Sequence, residues 1–504
     1  MNAETIIAGL DIGTTGCKCT VFDTEGKRLA KAYRTYELTE PCEAQETDAG
    51  AIMDAVYAVL HEAAEQYPEI SGIGVTSFGE TFVMTDAAGQ PLHGAMLYTD
   101  PRGREQCRQL SEEIGDERIC EITGLRPHEM YSLPKMMWLL QNRPEVYERA
   151  SFIFLMEDFV VYHLTGTRQI DDSLATRTMA FDVQKLDWSR EILIKAGIDR
   201  DRLSHPVRTG TDAGCVTQET ADRTGLSVHT HIISVSHDQV AAAVGAGAFD
   251  ASVAVDGAGT VECITPVYDH LPDMKVMYRD YFAVVPYVFP GKYVAYAFSY
   301  TGGALLQWCT QKLARGEKET AEKEGISVNA LLEQKYLKEH GNKPGTLLVL
   351  PHFACAATPY MDTGSRGVIT GLTLESSVSD IYRGCMEGIV YEMLVNMKGL
   401  ESSGCRFEKM NATGGGARSE IWMQMKADIL NLPVTALEET DAGTAGCAMI
   451  TGTAMGYYRD LTEAYQHMVH ERKTFRPDKE MHRKYMQVYA RYEKMYQAVR
   501  PLME

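Results

Sequence analysis

The chain has 504 residues, 45% of them hydrophobic and 23% charged, enough for two to four domains with cores of ordinary size. Its formal net charge is −20 and it contains no Lys- or Arg-rich run, which excludes nucleic acid and anionic membrane as main partners. No apolar run approaches the roughly 20 residues of a membrane span, and charged Glu4 followed at once by a strand leaves no signal peptide. Twelve cysteines without a CxxC pair predict free thiols in a reducing cytoplasm, with Cys17 and Cys19 facing the core and not a metal.

The opening stretch IIAGLDIGTTGCKCTVFD (6–23) holds two β-rich runs, 6–10 and 17–22, around a tight turn. RLAKAYRTYEL predicts a third strand, and Asp48 caps a helix over AIMDAVYAVLHEAAEQ. SGIGVTSF (71–78) reads as a buried strand and TFVMTDAAGQPL as a further strand ending in a turn. Residues 100–165 read as mostly helical, and HIISVSHDQVAAAVGAG (231–247) as a strand running into an Ala-rich helix.

The pattern then restarts. ASVAVDGAGTVECITPV (251–267) is again strand, Asp, Gly-rich turn with Thr, and strand. GTLLVLP (345–351), a helix over SDIYRGCMEGIVYEMLVNMKGLE, and KMNATGGG leading into a helix complete a second half. The two Asp-Gly turns begin at Asp11 and Asp256, about 245 residues apart. They predict two similar domains, 1–248 and 249–504, with the boundary near 246–251. From about 460 the chain is rich in Tyr, Lys, Arg and Glu and reads as surface-packed helix.

A hairpin needs only about two turn residues, yet the first turn carries Asp11, Gly13, Thr14, Thr15 and Gly16. Successive N–H groups in a Gly-rich turn form an anion-binding concavity, and Gly lets phosphate oxygens approach closely. Thr14 and Thr15 add hydroxyl donors. Asp11 repels phosphate unless a hydrated Mg²⁺ lies between them, and Mg²⁺ characteristically keeps waters and takes one or two carboxylates. One such turn is weak evidence, since an ordinary Asx-type hairpin explains it as well; two, each opening a half-chain, are stronger. The chain contains no GxxxxGK[ST], so it is not a P-loop enzyme.

DIGTTG, DGAGT and NATGGGARSEIWMQMKADILNLPV (411–434) resemble the phosphate-1, phosphate-2 and adenosine motifs of the actin-like ATPase superfamily. Within it the chain resembles the FGGY carbohydrate kinases along nearly its whole length. MYSLPKMMWLLQN (130–142) fits that family's first signature at every constrained position. GVITGLTLESSVSDIYRGCME (367–387) resembles the second, departing at Gly384 and Cys385.

The resemblance implies an α/β protein of two RNase-H-like domains, of the actin and hexokinase type, with a catalytic cleft between them. It implies ATP and Mg²⁺, a small sugar or polyol, and ATP bound mainly by the second domain. The catalytic base falls in SHDQ as Asp238, also a candidate Mg²⁺ ligand with Asp11. Phosphoryl transfer itself calls for such a carboxylate, to take the acceptor hydroxyl's proton. Read without the family, Asp238 is equally a helix N-cap, and His237 orients Asp238 or substrate or is merely packed.

TSFGET resembles the TNQRET of glycerol kinases, which maps Glu80 onto their polyol-binding acid and puts Gly79 in place of an arginine. YTDPRG corresponds to the family's Trp-x-Asp-x-Arg stretch, making Asp100 and Arg102 hydroxyl ligands or, alternatively, a structural ion pair. Gln239 follows the base as in glycerol kinases. On the nucleotide side, Gly13, Thr14, Thr15, Gly259 and Thr260 meet phosphates, and Gly415, Gly416 and Ala417 pass under the adenosine.

AGTVE is closer to the SGTWE of deoxy-ketose kinases, so the acceptor stays open among a ketose such as xylulose, a related pentulose or polyol, glycerol, and a deoxy-ketose. An actin-like nucleotide switch that binds protein partners is the alternative from another class; it leaves SHDQ, TSFGET and YTDPRG without a task. Assembly as a homodimer is also left open.

Overall fold

The computed structural model describes residues 5–36, 45–438 and 441–503; Glu4 and Cys42 lie outside them. β1 (Ile6–Ile12) and β2 (Gly16–Asp23) form an antiparallel hairpin, and β3 (Arg28–Thr35) continues the meander on β2. Asp48 caps α1 (Ala49–Gln66) by accepting from the N–H groups of Gly50 and Ala51. β4 (Gly72–Ser77) returns parallel to β1. β5 (Thr211–Cys215) and β6 (His231–His237) finish a sheet of order β5-β6-β4-β1-β2-β3, with β6 parallel to β4. Cys17 and Cys19 face its core, fully buried as their alternation with Lys18 requires.

α2 (Asp238–Gly245) leads into the second half. There β7 (Val253–Ala258) and β8 (Glu262–Tyr268) form the antiparallel hairpin. β9 (Ala283–Pro286) and β10 (Tyr293–Ser299) extend it. After α3 (Gly303–Lys312) and the long α4 (Val378–Ser402), β11 (Lys409–Thr413) lies parallel to β7. α5 (Glu420–Leu430), β12 (Val434–Leu437), α6 (Ala442–Ala454), β13 (Glu471–Phe475) and α7 (Lys479–Tyr492) follow. The second sheet runs β9-β10-β8-β7-β11-β12-β13.

Both sheets share one five-strand order, β3-β2-β1-β4-β6 and β10-β8-β7-β11-β12, with the second strand antiparallel to the rest. This is the duplicated RNase-H-like arrangement that the resemblance implied.

Two features depart from the sequence reading. The tail beyond 460 is not simply surface helix: β13 forms the sheet edge on β12, and α7 buries Tyr485, Tyr489 and Tyr492 in the core. The spacing of those tyrosines makes one stripe of α7, while the charged residues of β13 suit an exposed edge strand. The second departure is α6, which comes from the second half yet packs on β1 and β4 of the first sheet. A Cβ on Gly9 would lie 2.4 Å from the Thr444 carbonyl oxygen, and one on Gly74 2.3 Å from Thr451 Oγ1. Those strand glycines exist because a helix rides directly over them.

α6 also crosses α2 through a reciprocal pair of glycines. A Cβ on Gly446 would lie 1.9 Å from Ala241 O, and one on Gly245 2.0 Å from Ala442 O. Both clashes are with backbone, which no rotamer change relieves. Gly446→Ala is therefore expected to cost at least the 1–3 kcal/mol typical of overpacking, roughly, read as a lowered midpoint in thermal or urea unfolding. An unchanged midpoint would show that the two helices part freely.

Candidate active site

β6 ends at His237 and the chain turns directly into α2, so Asp238 is the first helical residue and His237 holds the cap position. The carboxylate thus stands at the carboxyl end of a parallel strand and at the positive end of a helix. A third of its side chain (33%) is open. Even so, the buried surroundings push its carboxyl up to about 7, and the charge of Asp11 adds to the rise.

His237 Nε2 lies 3.2 Å from Asp238 Oδ1, and His237 Nδ1 lies 3.3 Å from the hydroxyl of Tyr296 on β10. Burial, reinforced by Arg177, holds the imidazole well below its usual range and therefore neutral. A neutral ring serves an anionic Asp238 only with its hydrogen on Nε2, so the Tyr296 O–H donates to Nδ1. His237 positions Asp238 and ties the first sheet to the second.

The first turn is closed by Gly13 N–H donating to Gly16 O at 3.0 Å, with Thr14 at its tip and Thr15 exposed. Asp11 precedes it but is not free. The hairpin register sets Lys18 opposite Asp11, and Lys18 Nζ bridges Asp11 at 3.0 Å and Asp441 at 2.8 Å. Asp441, at the cap of α6, also takes Lys31. Burial raises the Asp11 carboxyl, against the pull of Lys18. Lys18 was legible, since alternation turns it away from Cys17 and Cys19; Asp441 was not. Among the described residues, no three His, Cys, Asp or Glu side chains are grouped to hold a metal.

On the acceptor side, Glu80 is buried at φ +63° in the left-handed region. Its Oε1 accepts from Arg177 Nε at 2.7 Å and also from Arg177 Nη2. The acid expected to accept sugar hydroxyls is thus committed to a guanidinium that sequence reasoning missed. Asp100 is likewise taken. Its buried oxygens accept from Arg102 at 2.6–3.1 Å and from the N–H of Gln45 at 2.8 Å. Arg102 reaches Glu46 at 2.6 Å and lies 4.9 Å from the Trp138 ring centroid. Asp100 and Arg102 thus pair with each other.

A cavity of about 180 Å³, walled by both halves, opens at His237 and Gln239, the two chain neighbours of Asp238. Arg126, Arg177, His237 and Gln239 come from the first half, and Cys263 and Tyr296 from the second. Asp238, Glu80, Asp100 and Arg102 are not among the residues lining it.

On the nucleotide side, Gly259 and Thr260 form the exposed turn between β7 and β8. The start of α3 holds it from behind: Gly303 N–H donates to Gly259 O at 2.9 Å, and Gly302 and Ala304 N–H donate to Thr260 O at 3.0 and 3.1 Å. Only part of the second glycine run borders open space. Nothing lies within 4 Å of a Cβ built on Gly415, whereas one on Gly416 would lie 2.7 Å from the Trp422 ring. Ala417 is 2% exposed. Gly416 is held to a glycine by Trp422 of α5 and Ala258 of β7.

Asp256, the counterpart of Asp11, is fully buried and bound by Lys426 of α5 at 2.5 Å, and Lys426 also holds Glu262. This triad was missed, although Lys426 lies on the stripe of Trp422, Met423 and Ile429, where a charge needs a partner.

Two RNase-H-like sheets with a phosphate-type turn on each, and a desolvated carboxylate whose two chain neighbours line the cavity they share, define the class of two-domain, actin-type sugar kinases. The N-terminal domain of the FGGY family of carbohydrate kinases matches residues 6–245, and its C-terminal domain matches residues 276–455. The chain belongs to this family and is an ATP-dependent carbohydrate kinase.

It is 26% identical over 499 residues to a xylulose kinase of Lactococcus lactis subsp. lactis, covering 98% of this chain and 96% of that one. It is 25% identical over 518 residues to an autoinducer-2 kinase of Salmonella choleraesuis, covering 99% and 95%. Among solved structures, a gluconate kinase from Lactobacillus acidophilus shares the fold with a TM-score of 0.88 at 22% identity, over 99% and 98% of the two chains. Plasmodium falciparum glycerol kinase with ADP has a TM-score of 0.85 at 19% identity, over 98% of each chain. No helix among the described residues is long and apolar enough to cross a membrane.

Proposed function

We propose that this kinase transfers the γ-phosphate of ATP to a hydroxyl of a small sugar or polyol seated in the shared cavity, with Asp238 as general base. The observation that carries the reading is Asp238 itself. Its carboxyl, pushed up to about 7, stands between His237 and Gln239, both of which line a cavity built by the two halves. A base of that strength both exists as carboxylate near neutral pH and accepts a proton readily. His237 fixes its orientation. The phosphates lie along the first turn (Gly13, Thr14, Thr15) and the second (Gly259, Thr260), and the adenosine passes over Gly415. A ketose such as xylulose is one acceptor of the proposed class.

Asp11 and Asp238 fit a hydrated Mg²⁺: each carboxyl is raised by burial, and the charge of Asp11 raises Asp238 further, a conflict that a cation relieves. When bound, the ion neutralises phosphate charge in the transition state. Lys18 holds Asp11 in place, and Gln239 lines the acceptor cavity beside the base.

The test is ADP release at fixed ATP across ketoses, polyols, deoxy-sugars and sugar acids. Strong dependence on one acceptor class supports the reading; an equal rate with every member and with none returns the chain to the nucleotide-switch alternative. Asp11→Ala is expected to raise the Mg²⁺ concentration giving half-maximal rate and to lower kcat while leaving acceptor binding in place. Collapse of acceptor affinity with unchanged Mg²⁺ dependence would mean that the first turn does not serve the metal.

A further inference from the structure

We infer that the acceptor is a sugar acid, an open-chain polyhydroxy carboxylate whose carboxylate pairs with Arg126 and whose far hydroxyl meets Asp238. This rests on the cavity being the acceptor site.

The cavity wall contains two guanidinium groups and two imidazoles but no Asp or Glu. A wall with cationic donors and no anionic acceptor matches a ligand that brings its own negative charge. Glu80, which lies outside the lining, is consumed by Arg177. That pair is electrically closed, and both imidazoles have lowered proton affinity through burial. Arg126 is the surplus charge. Its guanidinium is stacked on the rings of Tyr281 and Tyr278, 3.7 and 4.4 Å from their centroids, and its Nη1 donates to Tyr278 O at 3.1 Å. Among the described residues, no carboxylate forms an ion pair with it. The stacking orders the group, so little further entropy is lost on pairing with a ligand.

Two more donors are prepared. His128 Nδ1 accepts from Met130 N–H at 3.1 Å, which leaves the hydrogen of the neutral ring on Nε2. Arg177 Nη1 is buried without any acceptor, in a side chain that lines the same cavity. A buried orphan donor is costly unless a ligand atom completes it. One unpaired cation balances one negative charge, which favours a carboxylate over the dianionic phosphate of a sugar phosphate. Tyr281, Tyr296 and Met361 cover the remaining wall, suited to the C–H edges of a carbon chain.

The experiment compares gluconate and xylonate with xylulose, xylitol and glucose 6-phosphate as acceptors, by ADP release and by calorimetric titration without ATP. Sugar acids are expected to show at least about 10- to 100-fold higher kcat/KM than the neutral compounds, the value of a hydrogen-bonded charge. Arg126→Gln should erase that margin through KM, and Arg126→Lys should restore part of it, with melting temperature reporting that both variants fold. Preference for xylulose or xylitol, or for the phosphate ester, overturns the carboxylate assignment while leaving the kinase reading standing. Preference for sugar acids that survives in Arg126→Gln overturns the role of Arg126. Absence of turnover and of binding with every compound contradicts the assignment of the cavity itself.

Discussion

Asp238→Asn is expected to lower kcat by about 10²- to 10⁴-fold, the usual contribution of a positioned general base, with ATP affinity almost unchanged. The amide keeps the volume and the contact to His237 Nε2 but cannot take the hydroxyl proton. The same variant should be no less stable than the parent. A carboxyl raised from 3.8 to about 7 on folding opposes the folded state at every pH above its unfolded value, and the substitution removes that cost. Lost activity with a maintained melting temperature therefore separates chemistry from misfolding.

The parent's kcat/KM should fall about tenfold per pH unit on the acid side of roughly 7, and added Mg²⁺ should move that limb to lower pH by stabilising the carboxylate. A flat profile from about pH 8 to 5.5, or near-normal turnover by the folded variant, removes Asp238 from the reaction.

Lys426→Met is expected to cost about 3–5 kcal/mol, because it leaves Asp256 and Glu262 facing each other in the core without their cation. Burial and the Asp256 charge hold the Glu262 carboxyl well above its usual range even with Lys426 present. Without the lysine the Glu262 carboxyl is raised further. The deficit should grow as pH rises from the unfolded-state carboxylate value towards the raised folded-state value of Glu262 and shrink on acidification. Adding Asp256→Asn and Glu262→Gln should recover part of the loss. Chemical unfolding of the parent and these variants near pH 5 and pH 8 reads this directly. A deficit independent of pH and of the added substitutions would mean that Lys426 acts through packing alone.

Local chemistry carried much of the sequence reading. The two Asp-Gly turns, the strand-to-helix junction at Asp238 and the cap at Asp48 each depend on neighbouring residues, so their composition announces them. What the sequence hid is pairing over distance. Glu80 finds Arg177 97 residues later, and Lys426 finds Asp256 170 residues earlier. Nothing local in SLATRTMA marks Arg177 as the partner of Glu80. The return of α6 beneath the first sheet was hidden for the same reason: its only local trace is a run of small residues, which Gly9, Gly74 and Gly245 answer from far along the chain. Charges on buried stripes, as at Lys426, are the exception, because a charge there cannot stand alone.

The central claim is that transfer occurs only when the two halves bring acceptor and γ-phosphate together, to within roughly 3–3.5 Å in line. Small-angle scattering tests it most directly, comparing free enzyme, enzyme with acceptor, and enzyme with acceptor plus a non-hydrolysable ATP analogue. The predicted result is a smaller radius of gyration in the last state, since the cavity wall and the phosphate turns both draw on the two halves. An identical radius in all three states, with ATP hydrolysed as fast without acceptor as with it, would contradict the account.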